Sequence, residues 1–266
     1  MTLHFTVLGC GFSGGVPRAG LGWGACDPNN PKNRRRRTSL LVERRSSNGK
    51  TSVLVDTSPD LREQLYDAGV TWLDGVLYTH PHADHIHGID DLRALFIHNR
   101  RRVDVYMDEP TARQLTTRFD YCFAKPAGSE YPPIVNEHRI EAGRPVTIAG
   151  EGGPIEVLPI LQDHGDIPSL GFRFGGLGYS CDLSGLPAAS ATAFTGLEVW
   201  VVDALRYKPH PSHWCVADTL GWIDRLKPKR AILTNMHADL DYETLRRELP
   251  SHVEPGYDGI GGIVTI

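Results

Sequence analysis

The sequence lacks the cysteine patterns that hold small secreted domains together or bind structural zinc. Its cysteines are scattered, and none belongs to a Cys-x-x-Cys pair; they are Cys10, Cys26, Cys122, Cys181 and Cys215. Dispersed cysteines in an odd number are typical of reduced thiols in a cytosolic protein. We therefore expect a cytoplasmic protein whose fold does not depend on disulfides.

The sequence also lacks an apolar run of membrane-spanning length, and no cationic lead into such a run opens the chain. We expect no membrane partner. A net charge of -4 argues against broad nonspecific binding to nucleic acid. Basic residues still form two runs, at 34–37 and 100–102. For either run a solvated charged face is the simpler interpretation, although the first lies near a glycine-rich segment and could face a phosphate.

What the sequence does contain is ordinary for a globular α/β protein. Of its 266 residues, 40% are hydrophobic and 23% are charged. A chain of this length buries a sizeable core as one large domain or two small ones. The glycine-rich segment 9–18 is not followed by the helix that a dinucleotide-binding fingerprint requires. We interpret it as an ordered loop bordering a functional site.

Hydrophobic periodicity gives a coarse order of elements. It predicts strands at 3–8, 38–43, 52–56, 75–78, 103–107, 145–148, 155–160, 170–174, 197–204 and 230–234. It predicts helices at 61–69, 90–98, 110–119 and 216–223. Prolines and glycine in the segment 120–137 predict a loop or small flap there.

A dense group of metal-binding residue types follows the apolar strand predicted at 75–78. Its members are His80, His82, Asp84 and His85. The first two are two positions apart, so both rings would project to one side of an extended segment, whereas the last two would point in different directions. Imidazole and carboxylate suit Zn, Mn or Fe. The simpler alternative is a polar turn in which the histidines only make hydrogen bonds. Four potential metal ligands at this spacing nevertheless favour two neighbouring metal sites.

This His-x-His-x-Asp-His segment after an apolar strand resembles the signature of the metallo-β-lactamase superfamily. The resemblance implies an α/β fold, an αββα sandwich that forms one domain over residues 1–266. It also implies a dinuclear metal centre along one edge of the sandwich. Asp56, which ends the strand at 52–56, would buttress the metal-binding loop; capping of the following helix is the alternative role, and both can hold.

The resemblance also implies ligands later in the chain. His164 would be the third histidine of the first site, and Asp182 would bridge both ions. His237 would be the last ligand, because Asn235 stands where many relatives carry histidine. One site would then hold His80, His82, His164 and Asp182, and the other Asp84, His85, Asp182 and His237. The expected ions are Zn or Mn.

Shorter segments resemble the phosphoribosyl 1,2-cyclic phosphate phosphodiesterases, neighbours of ribonuclease Z. They are 14–17, 88–93, 203–206, 210–213 and 233–237. This likeness implies hydrolysis of a small cyclic phosphate or nucleotide-like phosphodiester through a metal-bridging hydroxide, with Asp84 at the reacting centre and His213 as general acid. His210 competes for the acid role. Relatives often hold an extra zinc on a cysteine cluster near the N-terminus, and we expect it to be missing because only Cys26 lies there.

Residues that would contact substrate are harder to assign, and the candidates are His210, Arg93 and Ser13. Three other functions remain open. Ribonuclease Z-like processing of RNA would require a long basic arm, which the sequence does not contain. Thioester or lactone hydrolysis would use the same metals, and a non-catalytic binding module would not need His213. The sequence leaves the oligomeric state open, a homodimer included.

Overall fold

Two sheets pack face to face in the computed structural model, which describes residues 1–125 and 127–266. The first half of the chain forms β1 (Thr2–Gly9), β2 (Ser39–Ser46), β3 (Gly49–Val55), β4 (Gly75–Leu77), β5 (Val103–Met107) and β6 (Val135–Arg139). The second half forms β7 (Val146–Ile148), β8 (Ile155–His164), β9 (Ile167–Phe174), β10 (Leu177–Ser180), β11 (Val199–Asp203), β12 (Arg230–Thr234), β13 (Val253–Pro255) and β14 (Gly261–Thr265). The strand orders are β14-β1-β2-β3-β4-β5-β6 and β13-β12-β11-β10-β9-β8-β7.

Helices cover the outer faces of the sheets, apart from one short helix in the loop that follows β4. They are α1 (Leu61–Asp67), α2 (Ala83–Ile86), α3 (Leu92–Asn99), α4 (Glu109–Arg118), α5 (Asp120–Phe123), α6 (Ala188–Ala193), α7 (Val216–Leu226) and α8 (Tyr242–Glu248). Short 3-10 turns lie at Pro31–Asn33 and Ile89–Asp91. Among the described helices, none combines the length and apolar character needed to cross a bilayer.

The apolar core lies between the two sheets, because alternate residues of each strand point inward. Val42 and Val53 from the first sheet join one buried cluster with Phe172 and Trp200 from the second. A second cluster fills the space between the first sheet and its outer helices, and includes Leu54, Leu61, Leu92 and Leu115. These layers give the αββα sandwich expected from the sequence.

Parallel strands in both sheets end at the same edge of the sandwich. In the first sheet β3, β4, β5 and β6 are parallel to one another, and in the second β10, β11, β12 and β13 are. The carboxyl ends of parallel strands are where α/β proteins build their sites.

Three residues just past such ends have left-handed backbones, Asp56 (φ 62°), Asp182 (φ 56°) and Asn235 (φ 59°). This conformation costs roughly 1–3 kcal/mol for a residue other than glycine, so surrounding contacts must hold it.

Two sequence predictions need correction. The strand predicted at 155–160 continues as β8 to His164, because the buried Gln162 donates to the Ser169 hydroxyl (3.2 Å) and the Cys181 carbonyl (3.3 Å) instead of starting a turn. The segment 120–137, predicted as a loop, contains α5 and the start of β6; Pro126 lies outside the described residues. The edge strand β6 escaped prediction because four of its five residues are exposed, which leaves no apolar alternation to detect.

Trp200 anchors the core of the second sheet and offers a test of this packing. Its ring stacks on Phe194 at 5.7 Å and its indole N–H donates to Ser180 at 3.0 Å. We expect Trp200→Ala to lower the free energy of unfolding in urea by about 3–5 kcal/mol, because it leaves a cavity. Tyr66→Ala is the control: Tyr66 is 83% exposed, so the loss there should stay within about 0.5 kcal/mol. Equal losses for the two variants would contradict the packing described.

Candidate metal centre

The buried carboxylate of Asp56 orders the loop that follows β4. It accepts hydrogen bonds from the Thr79 backbone N–H (2.8 Å), from the Thr79 hydroxyl (2.8 Å) and from His85 Nδ1 (2.7 Å). A carboxylate at this place fixes the tautomer of His85, because the proton must lie on Nδ1. With the proton held on Nδ1, Nε2 of His85 is the nitrogen that would bind a metal ion. This is the buttressing contact that the sequence suggested, and Asp56 makes it from the end of β3.

A first group of ligand atoms converges from three elements. His80 Nε2 and His82 Nδ1 lie 2.9 Å apart, and His164 Nε2 lies 3.3 Å from His82 Nδ1. Asp182 Oδ2 lies 3.6 Å from both His80 Nε2 and His164 Nε2. Ligands of a tetrahedral ion with bonds of about 2 Å lie roughly 3–3.5 Å apart, so these spacings fit a cation.

Electrostatics also suit metal binding by this group. Burial lowers the pKa of His82 and His164, and lowers that of His80 well below its ordinary value. Neutral imidazole is the form that binds metal. His164 Nδ1 lies 2.7 Å from the Ser212 carbonyl, which requires the proton on that nitrogen and turns Nε2 toward the other ligands.

A second group surrounds His85. Its Nε2 is buried and has no hydrogen-bond partner, while Asp84 Oδ2 lies 3.3 Å away and Asp182 Oδ2 3.5 Å away. Burial lowers the pKa of His85, but the charges of Asp84, Asp182 and Asp56 outweigh burial and raise that pKa well above its ordinary value. The space between these carboxylates therefore favours positive charge, and an orphaned ring nitrogen aimed into it fits a metal ion.

Cys181 lies in the wall of the second group, which the sequence did not reveal. Its Sγ donates to Asp182 Oδ1 at 2.9 Å and belongs to a cluster of possible metal ligands with His85 and Asp182. The sequence analysis named no cysteine at the site, whereas the structure places this thiol against the carboxylate of Asp182. Burial raises the pKa of Cys181 well above its ordinary value, so this thiol stays protonated in the metal-free chain.

Asn235 connects the shared carboxylate to a buried ion pair. Its amide nitrogen donates to Asp182 Oδ1 (3.0 Å) and to Asp203 Oδ1 (3.1 Å). The other oxygen of Asp203 lies 3.0 Å from His213 Nδ1, and the rings of His213 and His164 are 4.8 Å apart. Burial lowers the pKa of His213, but the hydrogen bond and charge of Asp203 outweigh burial and raise it to about 9. His213 is therefore a proton-bearing group at the rim of the first site.

The structure does not bring His237 into either group of ligand atoms. Its Nδ1 lies 3.2 Å from Asp239 Oδ1, and its ring packs at 4.4 Å from that of Phe12. Its role as a ligand stays a prediction. The position next to Asp182, where the resemblance suggests an imidazole, is taken by Asn235.

The three candidates for contact with substrate lie in different surroundings. His210 is close to the site, since its ring is 5.0 Å from that of His213 and its Nδ1 accepts from the Ser212 backbone N–H at 3.3 Å. Arg93 is paired with Asp90 at 2.6 Å. Ser13 is an exposed residue of the glycine-rich turn. Their substrate contacts stay predictions.

Three of the four arginines at 34–37 are buried or paired and do not form the solvated face that the sequence favoured; Arg34 is exposed. Arg35 is only 2% exposed and donates to the Leu240 carbonyl at 2.7 Å. Arg36 pairs with Asp258 at 3.1 Å, and Arg37 with Asp60 at 3.0 Å. The contacts of Arg35 and Arg36 join this segment to the last loops of the chain. The paired carboxylates neutralise the positive charge of Arg36 and Arg37 that would otherwise attract a phosphate.

Besides Cys181, two functional residues escaped the sequence analysis. Thr79 was passed over because threonine rarely signals a site, and Asp203 was noted only as part of a shorter matching segment. Asp203 did carry a signal, because it is the last residue of a buried strand. Asp56 directly follows the end of β3, and Asp182 comes two residues after the end of β10. A rule that treats every acid at the carboxyl end of a core strand as part of the site would have found it.

Comparisons with known proteins agree with this geometry. A family model for the β-lactamase superfamily domain matches residues 51–236. A crystal structure of a diphosphatase from the PhnP family is 35% identical, covers 99% of this chain and 98% of that chain, and superposes with a TM-score of 0.88. Human tRNase Z, short form, is 14% identical, covers 100% and 99% of the two chains, and has a TM-score of 0.64. At that identity it shares the fold alone.

A curated relative is longer than this chain. An octanoyltransferase from Porphyromonas gingivalis (strain ATCC BAA-308 / W83) is 32% identical over 263 residues, which are 97% of this chain and 51% of that protein. The chain thus spans about half the length of this relative. The named activity belongs to the whole longer protein.

Asp56 provides a test of the loop geometry. In Asp56→Asn the new amide would turn its own N–H groups toward the Thr79 hydroxyl or His85 Nδ1, so the tautomer of His85 is no longer fixed. We expect Zn affinity to fall about 10–100-fold, measured by competition with a chelating indicator. Asp224→Asn, on the exposed side of α7, should leave affinity unchanged. Unaltered affinity in Asp56→Asn would contradict the role assigned to this carboxylate.

Proposed function

Because this chain belongs to the metallo-β-lactamase superfamily, in its PhnP- and ribonuclease Z-like branch, we propose that it hydrolyses a small cyclic phosphate or nucleotide-like phosphodiester. The family and the His/Asp cluster make it a metal-dependent hydrolase. The observation that carries the finer proposal is the sharing of Asp182 Oδ2 between the first ligand group and His85. Two adjacent sites that share one carboxylate suit in-line displacement at phosphorus, where the attacking and leaving oxygens both need stabilisation.

The proposed ligands are those brought together at the edge of the sandwich. They are His80, His82, His164 and Asp182 for one ion, and Asp84, His85 and Asp182 for the other. When bound, two divalent ions, Zn or Mn, would supply Lewis-acid stabilisation of phosphate charge and a nucleophile at neutral pH. Asp84, whose side chain is 14% exposed, is the carboxylate of the second group that meets solvent. We assign it as the acceptor of the proton released by the attacking water.

His213 is the proposed general acid. Asp203 accepts from its Nδ1 and stabilises the imidazolium, so Nε2–H is available to protonate a leaving oxygen. The contact of its ring with His164 places it beside the first ligand group. His210 packs against His213, and its Nδ1 accepts from the Ser212 backbone N–H. Burial lowers the pKa of His210, so we assign it contact with substrate and not proton donation.

The choice of a phosphate ester over a thioester or lactone rests on the structural relative that matches nearly the whole length of both chains. That relative is a diphosphatase, so its reaction also breaks a bond between phosphorus and oxygen. Ribonuclease Z-like processing has support only at the level of fold. Incubation with a precursor tRNA, followed by a gel-shift assay, separates this alternative from action on small diesters.

We expect the purified protein, loaded with Zn or Mn, to hydrolyse bis(p-nitrophenyl) phosphate, a cyclic nucleotide or a small diphosphate ester. His80→Ala should abolish turnover, because it removes a ligand of the first group. His98→Ala, an exposed histidine on α3, is the matched control and should retain full activity. If no member of the ester panel is hydrolysed with either metal, while a lactone or thioester is, the phosphodiesterase assignment fails.

The leaving group distinguishes a general acid from a structural histidine. We expect His213→Ala to lower kcat about 10²–10⁴-fold for a diester with an alkoxide leaving group. The loss should be much smaller for p-nitrophenolate, which needs no proton to depart. His210→Ala should lower both rates to a similar, smaller extent, through substrate binding. A larger loss of kcat in His210→Ala with the poor leaving group would transfer the acid role to His210.

A further inference from the structure

An open cleft of about 600 Å³ lies beside the proposed general acid, and α7 supplies much of its wall. Its volume is within the usual range for a small-molecule site, roughly 300–1,000 Å³. We call it the α7 cleft, and the residues around it include His210, His213, Trp214, Gly221, Trp222 and Arg225.

His213 joins the α7 cleft to the first ligand group. Its ring is 4.8 Å from that of His164, and its side chain is 14% exposed. Because its Nδ1 is paired with Asp203 at 3.0 Å, its Nε2 carries the proton that a leaving oxygen would take. When the bond between phosphorus and that oxygen breaks, the oxygen stays with the departing group. A departing group that receives its proton from His213 therefore belongs in the cleft that His213 lines.

Planar side chains form one wall of the α7 cleft. The rings of Trp214 and Trp222 stack at 5.4 Å with 14° between their planes, and the Arg225 guanidinium lies over the Trp222 ring at 4.7 Å. Trp214 is buried, whereas Trp222 is half-buried and Arg225 is exposed. Proteins that bind single-stranded nucleic acid stack bases on aromatic rings and on guanidinium planes. This wall therefore suits a heterocyclic ring better than a bare alkyl group.

Gly221 keeps the α7 cleft open. It lies in the interior of α7, where glycine is among the poorest helix formers, and no left-handed backbone angle accounts for it. Apart from its chain neighbours and the backbone of its own helix, a Cβ built there would meet no atom within 4 Å. Packing thus does not require glycine at this position. A longer side chain would instead project into the cleft beside Trp222.

We propose that the α7 cleft is the leaving-group subsite, and that it takes a planar heterocycle such as the base of a nucleoside. Trp222 and Arg225 would then determine specificity, and Gly221 would provide the space. This inference rests on the proposed function, because a leaving-group subsite requires ester hydrolysis at the metal centre. It deepens that function by favouring diesters that release a nucleoside over diesters that release a small alkoxide.

Binding of the departing group can be measured without turnover. The metal-loaded protein is titrated by isothermal calorimetry with adenosine and with ribose, which lacks the base. We expect adenosine to bind about 5–100-fold more tightly, which is the contribution of stacking one base. Trp222→Ala should abolish this difference, and Trp222→Phe, which keeps an aromatic ring, should restore most of it. Equal affinities for adenosine and ribose in the wild-type protein would overturn the proposal.

Gly221→Gln narrows the cleft without altering a metal ligand or His213. We expect it to raise the KM of a diester with a nucleoside leaving group at least about fivefold, with a much smaller effect on a diester that releases a small alkoxide. Because glutamine is a better helix former than glycine, the variant should unfold at no lower temperature than the wild type. Ala189→Gln, which adds the same side chain at an exposed position of α6, should change neither KM. An equal effect of Gly221→Gln on the two diesters would overturn the proposal.

The leaving-group subsite and the proposed function fail on different results. If diesters are hydrolysed but adenosine binds no more tightly than ribose, the subsite is overturned and the phosphodiesterase assignment stands. If no diester is hydrolysed, the leaving-group role is lost together with the proposed function. In that case the calorimetry still decides whether the α7 cleft binds a nucleoside.

Discussion

The hydrogen bonds that converge on the buried carboxylate of Asp56 are the constraint on which the site depends. They join the end of β3 to the loop after β4 and fix both the path of that loop and the ring of His85. Without this acceptor, four polar side chains would crowd a loop with nothing to set their directions. With it, three imidazoles and one carboxylate line a space where burial keeps the first group of imidazoles neutral.

The sandwich supplies the remaining donors by its topology. Strands of the two sheets end at one edge, so residues far apart in the chain become neighbours. His164 arrives from β8, Asp182 from the end of β10, Asp203 from β11 and Asn235 from β12. The left-handed backbones of Asp56, Asp182 and Asn235 occur where these strands end, and each side chain there is fixed by hydrogen bonds. Strain is thus located at the site, where the geometry of the side chains needs it.

The sequence was informative where chemistry and local pattern coincide. The His-x-His-x-Asp-His segment is compact enough to indicate metal, and most core strands follow from their apolar runs. The sequence could not reveal the edge strand β6, whose exposed side chains show no alternation, or the extension of β8 through the buried Gln162. It also could not show that His237 turns toward Phe12 or that Asn235 faces the shared carboxylate, because the direction of a loop side chain depends on contacts across the fold.

The most direct test of the central claim, that side chains from both sheets jointly hold metal at this edge, is anomalous X-ray diffraction from crystals loaded with Zn and then with Mn. We expect a strong Zn peak among His80, His82, His164 and Asp182, and a separate peak beside His85 and Asp84. Peaks confined to other parts of the surface, or none in crystals whose dissolved protein contains metal, would contradict it.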